Sequence, residues 1–171
     1  MTDLTHLTTA GEAHMVDVGA KVDTQRVAEA TATVFMNAVA FGALLRGDLK
    51  KGDALGTARI AGIMAAKRTS DLIPLCHPIA ITNVEVAVTP RPAVAANPSN
   101  HGIMDAIIIV SRVSCVGKTG VEMEVLTAAS VAALTIYDMC KALDRAMIIG
   151  DLKLVSKRGG ARGDYQTGIS E

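Results

Sequence analysis

From Val22 to Met36 the chain alternates. Ala28, Ala30, Ala32, Val34 and Met36 fall at every second position, with Glu29, Thr31, Thr33 and Phe35 between them. A period of two with interleaved threonines favours a half-buried strand, although the alanines leave a helix open. "NAVAFGALLRGD" then predicts a short helix ending near Gly47, and "LKKGD" a loop. Asp53 is placed to cap a helix over "ALGTARIAGIMAAKR", whose Ala58, Ala61, Gly62 and Ala65 form a small-residue stripe for close packing. Pro74 and Pro78 prevent a regular helix in "TSDLIPLCHP".

"AITNVEVAVT" alternates as a strand, and "PRPAVAANPSNHG" reads as a Pro- and Asn-rich hairpin loop. "IMDAIIIVSRVSCV" is a further strand, Glu122 to Leu143 the longest helix, and "MIIGDLKLVSK" the last strand. Residues 1–20 are expected to be a polar arm with a short strand at "HMVDV", and residues 158–171 a flexible glycine-rich tail. The order strand, two helices, strand, strand, helix, strand predicts one α+β domain over residues 1–171. It is ferredoxin-like, a four-stranded antiparallel sheet with helices on one face.

Composition sharpens this. Aromatic residues are only 2% of the chain, so Ala, Val, Ile, Leu and Met must build the core. A surplus of apolar surface, with hydrophobic residues at 50%, suggests an oligomer. The formal net charge is zero, which gives no bulk attraction for nucleic acid or an anionic membrane. Three unpaired-looking cysteines, Cys76, Cys115 and Cys140, suit a reducing cytoplasm. No signal peptide and no membrane-spanning apolar run is evident.

"VGKTGVEME" (Val116 to Glu124) looks like half of a phosphate-binding P-loop. A P-loop needs a glycine where this chain has Arg112, and residues 112–116 continue a strand. A strand-to-helix turn remains, with Lys118 and free N–H groups able to attract an anion. Cys76, His77, Cys115, Cys140, His6, His14 and His101 lack zinc-site spacing. Basic residues cluster in loops at "KKGD", "AAKR", Lys118 and "SKRGGARG", beside glycines that permit close approach. With few aromatics for stacking, they point to an anionic small molecule and away from nucleic acid.

The long helix is apolar on every side between Glu124 and Lys141 except at Asp138. Such a helix is buried in a core or against a partner. Lys141 lies three residues on, within reach of Asp138. The pair fits either a structural ion pair or a general acid/base pair. Burial would raise the Asp and lower the Lys pKa; pairing would oppose both. Glu124 shares roughly that face but lies about 20 Å away at 1.5 Å per residue, so a site using both is expected to span a subunit interface. "LCHP" presents Cys76 and His77 on a stiff loop, suited to a base or ring.

"GEAHMVDV", "KGDALGTARIAGIMAAKRTSDLIPLCHP", "GKTGVEMEVLTAASVAALTIYDMCKA" and "GGARGD" together resemble the cyclic pyranopterin monophosphate synthase (MoaC) family, from about Gly11 to Asp164. The resemblance implies a lyase of molybdenum cofactor biosynthesis. It would convert 3′,8-cyclo-7,8-dihydroguanosine 5′-triphosphate to cyclic pyranopterin monophosphate and release pyrophosphate. It implies Asp138, Lys141 and Lys51 as catalytic, and Leu75, Cys76, His77, Met123 and Glu124 lining the substrate pocket. Asp17, Lys21, Lys67, Arg68, Glu122 and Lys157 are further charged contacts. It implies a homohexamer, a trimer of dimers, with sites at the dimer interface. No cofactor is required, though magnesium can accompany the triphosphate. The chain departs from the family pattern at its tail, with Arg158 in place of serine and Ala161 in place of lysine, and Arg162 adjacent. A non-catalytic nucleotide-binding regulatory module is the rival reading.

Overall fold

The computed structural model describes residues 11–95, 103–160 and 163–167. Expectations for His6, His101, Ala161, Arg162 and the 96–102 segment lie outside them. Five strands form one antiparallel sheet in the order β2-β3-β1-β4-β5. They are β1 (Thr24–Met36), β2 (Ile81–Ala95), β3 (Ile103–Gly117), β4 (Ile148–Arg158) and the two-residue β5 (Tyr165–Gln166). The helices are α1 (Ala38–Arg46), α2 (Ala54–Ala66), the one-turn α3 (Thr69–Leu72) and α4 (Glu122–Cys140). The first four strands give the ferredoxin-like arrangement; β5 is an addition in the glycine-rich tail, paired with Ser156 and Lys157.

The alternation in β1 is realised: Ala28, Ala30, Ala32, Val34 and Met36 are all buried. Directly opposed residues share a face, so Ile107, Ile109 and Val113 of β3 join them beneath α2 and α4. Asn37 caps α1 by accepting from the Ala40 N–H at 2.8 Å, and Asp53 caps α2 by accepting from the Gly56 N–H at 2.9 Å. Gly47 ends α1 in the left-handed region, φ 73°, where glycine carries no steric penalty.

Four expectations are corrected. "HMVDV" forms no strand: an isolated bridge occurs at Ala13, and the Val16 carbonyl is taken by the His77 ring. Pro90 and Arg91, expected in a loop, extend β2; they are tolerated because β2 is an edge strand, and a register shift follows Arg91. α3 completes one turn before Pro74, with the Thr69 hydroxyl donating to the Ala66 carbonyl at 3.0 Å. α4 stops at Cys140 and leads into a turn.

α4 is long and apolar enough to cross a membrane by length and composition alone, yet half of it is buried inside the fold. Its Ala128, Ala129, Ala132, Ala133 and Ile136 are fully covered, whereas Leu134 is 58% exposed, so one chain does not enclose it all round. α2 approaches it through Ala58, Gly62 and Ala65; Ala61 turns outward to an open groove along α2. A Cβ at Gly62 would lie 3.0 Å from the Ala128 carbonyl oxygen and 3.3 Å from the Ala132 Cβ. Gly62→Leu is therefore expected to force α2 and α4 apart and to cost about 2 kcal/mol, read as a lower urea midpoint with unchanged m-value.

Candidate active site

α4 carries polar groups at both ends. At its C-terminal end Asp138 sits between two ammonium groups. Lys141 Nζ lies 2.8 Å from Oδ1, and Lys51 Nζ lies 2.5 Å from Oδ2 and 3.0 Å from the Asp138 carbonyl oxygen. Lys51 comes from the turn between α1 and α2, stiffened by the Gly52 N–H donating to Leu49 O at 2.9 Å. The hydrogen bond from Lys141, then that from Lys51, pulls the Asp138 pKa down to about 2. The Lys141 pKa is raised by its hydrogen bond to Asp138 and by that carboxylate's charge. Pairing thus wins over burial, because the cluster is not buried within one chain: the Asp138 and Lys141 side chains are 53% and 52% exposed. Burial all round the helix, one of the two expected settings, is corrected at its C-terminal end for the single chain.

The N-terminal end lies about 21 Å away, fourteen residues at 1.5 Å each. Glu124 is only 2% exposed. Its Oε1 accepts from the Cys76 thiol at 3.5 Å, while Oε2 is buried without a hydrogen-bond partner among the described residues. Burial raises the Glu124 pKa and neighbouring Glu122 adds to this, against its backbone N–H and the thiol. Burial, then the Glu124 charge, pushes Cys76 up to about 11. A sealed carboxyl oxygen without a partner is costly to keep, which marks this end of α4 as a candidate for function.

Several of the expected residues make contacts near this end of α4. His77 Nε2 donates to the Val16 carbonyl at 2.8 Å, tying the arm that bears Asp17 and Lys21. Asp17 Oδ1 accepts from the Gly19 N–H at 2.7 Å. Lys157 pairs with Glu122 at 2.9 Å. Leu75 and Met123 are 39% and 37% exposed. Lys67 and Arg68 are exposed where α2 meets α3, and no ion pair joins them to either cluster.

"GKTG" is the turn between β3 and α4, and Arg112 lies within β3, so the P-loop is excluded. Lys118 donates to the Gly19 carbonyl at 2.6 Å. Arg26 donates to the Gly117 and Lys118 carbonyls at 3.3 and 3.2 Å, bracing that turn. Sequence reasoning missed Arg26, although the signal was there: it occupies a core-facing position of the β1 alternation, opposite buried Cys115. Among the described residues no group of three or more His, Cys, Asp or Glu side chains is placed to hold a metal ion.

The sequence signature of the MoaC family matches residues 15–160. The chain belongs to the MoaC family. It is 56% identical over 163 residues to the cyclic pyranopterin monophosphate synthase of Herpetosiphon aurantiacus, covering 95% of this chain and 93% of that protein. It is 58% identical over 165 residues to the protein of the same name from Roseiflexus sp., covering 96% of this chain and 98% of the relative.

Glu124 binds its proton more tightly folded than unfolded, so stability falls as pH rises from the ordinary value of 4.5 through the raised one. Glu124→Gln is expected to raise the melting temperature at neutral pH by about 3 °C and to leave it nearly unchanged below pH 4.5, as calorimetry across pH would read. The same variant should move the alkylation midpoint of Cys76 down from about pH 11, since a thiolate there would no longer face an anion.

Proposed function

We propose that this chain is a cyclic pyranopterin monophosphate synthase of molybdenum cofactor biosynthesis, a phosphorus-oxygen lyase acting on 3′,8-cyclo-7,8-dihydroguanosine 5′-triphosphate in the cytoplasm. The family membership supports the reaction. The observation that carries the chemistry is the carboxylate of Asp138 gripped by Lys51 and Lys141.

Asp138 remains an anion throughout the neutral range and holds both amines. Lys141, kept protonated by it, is the proton donor as the purine-derived ring opens; Lys51 exchanges protons as the pterin ring closes. A ribose-derived hydroxyl attacks the innermost phosphorus, its P–O bond forms as the bond to pyrophosphate breaks, and the electrons leave with that group. Basic side chains, with Lys21, Lys67, Arg68 and Lys157 as the expected contacts, stabilise the departing charge. Any magnesium ion arrives with the triphosphate as part of the substrate. Glu124, with Cys76 and His77, supplies polar edges for the ring system.

One chain leaves the lysine cluster half-exposed and Glu124 about 21 Å away. Both features favour a site completed by a second copy, in a homohexamer built as a trimer of dimers, where the C-terminal end of one α4 meets the N-terminal end of another. Exposed Leu134, Ile60 and Met64 offer apolar surface for such contacts.

Lys141→Ala is expected to abolish product formation, followed by mass spectrometry, while retaining the far-UV circular dichroism of the parent; near-parental turnover removes Lys141 from the mechanism. A regulator would leave the cyclised triphosphate intact even with the parent protein. Mixing inactive Glu124→Gln and Asp138→Asn proteins under subunit exchange should restore up to about a quarter of the activity if each site draws on two chains. No recovery after verified exchange places both residues in one-chain sites.

A further inference from the structure

Asp144 is a buried carboxylate, 7% exposed, that neither the family likeness nor the mechanism uses. It lies in the turn after α4, three residues beyond Lys141. Its Oδ2 accepts from the Asn37 N–H at 2.8 Å, its Oδ1 from the Ala146 N–H at 2.9 Å, and its own N–H donates to the Cys140 carbonyl at 3.2 Å. Asn37 is the N-cap of α1, so the negative charge also sits at the favourable end of that helix.

We propose that Asp144 is a positioning residue for the Lys51–Asp138–Lys141 cluster, fixing the start of α1 against the turn that leaves α4. From Asn37 to Lys51 the chain is one stiff strut. Asn37 caps α1, the Gly47 and Asp48 N–H groups close its far end on Leu44 and Ala43 carbonyls at 3.2 and 2.9 Å, and buried Leu49 anchors the next turn. The strut stands on the end of α4 and the turn after it by two feet: the Lys51 amine on Asp138 and the Asn37 N–H on Asp144.

The apolar contacts of α1, through Ala40, Phe41, Ala43 and Leu44, hold it down but are non-directional. An exposed ion pair is too weak and too mobile to set register by itself. The Asp144 carboxylate, which accepts part-buried hydrogen bonds from the Asn37 N–H across to α1 and from the Ala146 N–H within its own turn, does set it. On the other side of the turn, the Tyr137 hydroxyl donates to the Arg145 carbonyl at 3.1 Å and keeps it closed. Asp144 therefore fixes where the strut that carries Lys51 starts, relative to the turn that follows Lys141.

The inference rests on the reading of this cluster as the acid/base centre, and two readouts keep the two ideas separable. Asp144→Asn retains one acceptor and turns an amide NH2 toward the other N–H. In the full-length protein, limiting acetic anhydride followed by peptide mass spectrometry should show Lys51 labelled about threefold faster than in the parent, with Lys50 and Lys67 as unchanged references. With the cyclised triphosphate, kcat should fall about tenfold while KM stays within about twofold. Unchanged Lys51 labelling and unchanged kcat overturn the proposal. If the parent protein itself does not turn over the triphosphate, the functional reading fails, and the labelling alone decides the positioning.

If Asp144→Asn does not fold, the bond is tested from its other side. Asn37→Ala removes only the cap, whereas Asn37→Pro also removes the N–H that Asp144 accepts, at a φ of −73° that suits a prolyl ring. Faster Lys51 labelling in the proline variant than in the alanine variant supports the proposal. Equal labelling in the two overturns it.

Discussion

Helix α4 lies against α2 and the sheet at the short distance that Ala128, Ala129, Ala132, Ala133 and Gly62 permit. The rest of the structure depends on this contact. In a core with almost no aromatic side chains, stability comes from close approach of backbones, each small side chain filling its space. Close approach also makes α4 a rigid bar. Whatever its two ends carry is held at a set separation, and neither end can swing toward the other. A larger residue on the seam would disturb packing and the placement of both polar clusters together.

The two ends have opposite electrostatic character for a physical reason. The N-terminal end buries Glu124 with one oxygen unpartnered, which favours the neutral acid. The C-terminal end exposes Asp138 to two amines and to water, which favours the carboxylate and the ammonium form of Lys141. One chain therefore holds a desolvated group without its cations and a set of cations without a desolvated wall. In the two-copy site proposed above, a second copy would bring these ends together and cover apolar side chains that a single chain leaves in water.

The basic groups near the Glu124 end show how local sequence becomes a surface. Lys118, Arg26 and His77 all donate to main-chain carbonyls, of Gly19, Gly117, Lys118 and Val16. Two of them tether the arm that bears Asp17 and Lys21, and Arg26 braces the turn before α4. These side chains fix the local backbone around the N-terminal end of α4.

Much of the fold was legible in the amino-acid order, because it rests on local rules: the period of two in β1, the cap Asp53, the end of α1 at Gly47, the apolar run of α4, and the specific motifs that mark the family. Where reading by period failed, a tertiary fact intervened. Pro90 is a strand residue because β2 happens to be an edge, and "HMVDV" pairs with no strand, its Val16 carbonyl going to an imidazole instead. The pairing of Asp138 with Lys141 follows from helical spacing, and so belongs to the sequence. That Lys51 completes the cluster, that Asp138 is exposed within one chain while Glu124 is sealed, and that Asp144 ties α1 to the end of α4 are decisions of the tertiary structure. Spacing along a helix sets which side chains share a face; only the packing of separate elements sets which faces meet water and which distant groups meet each other.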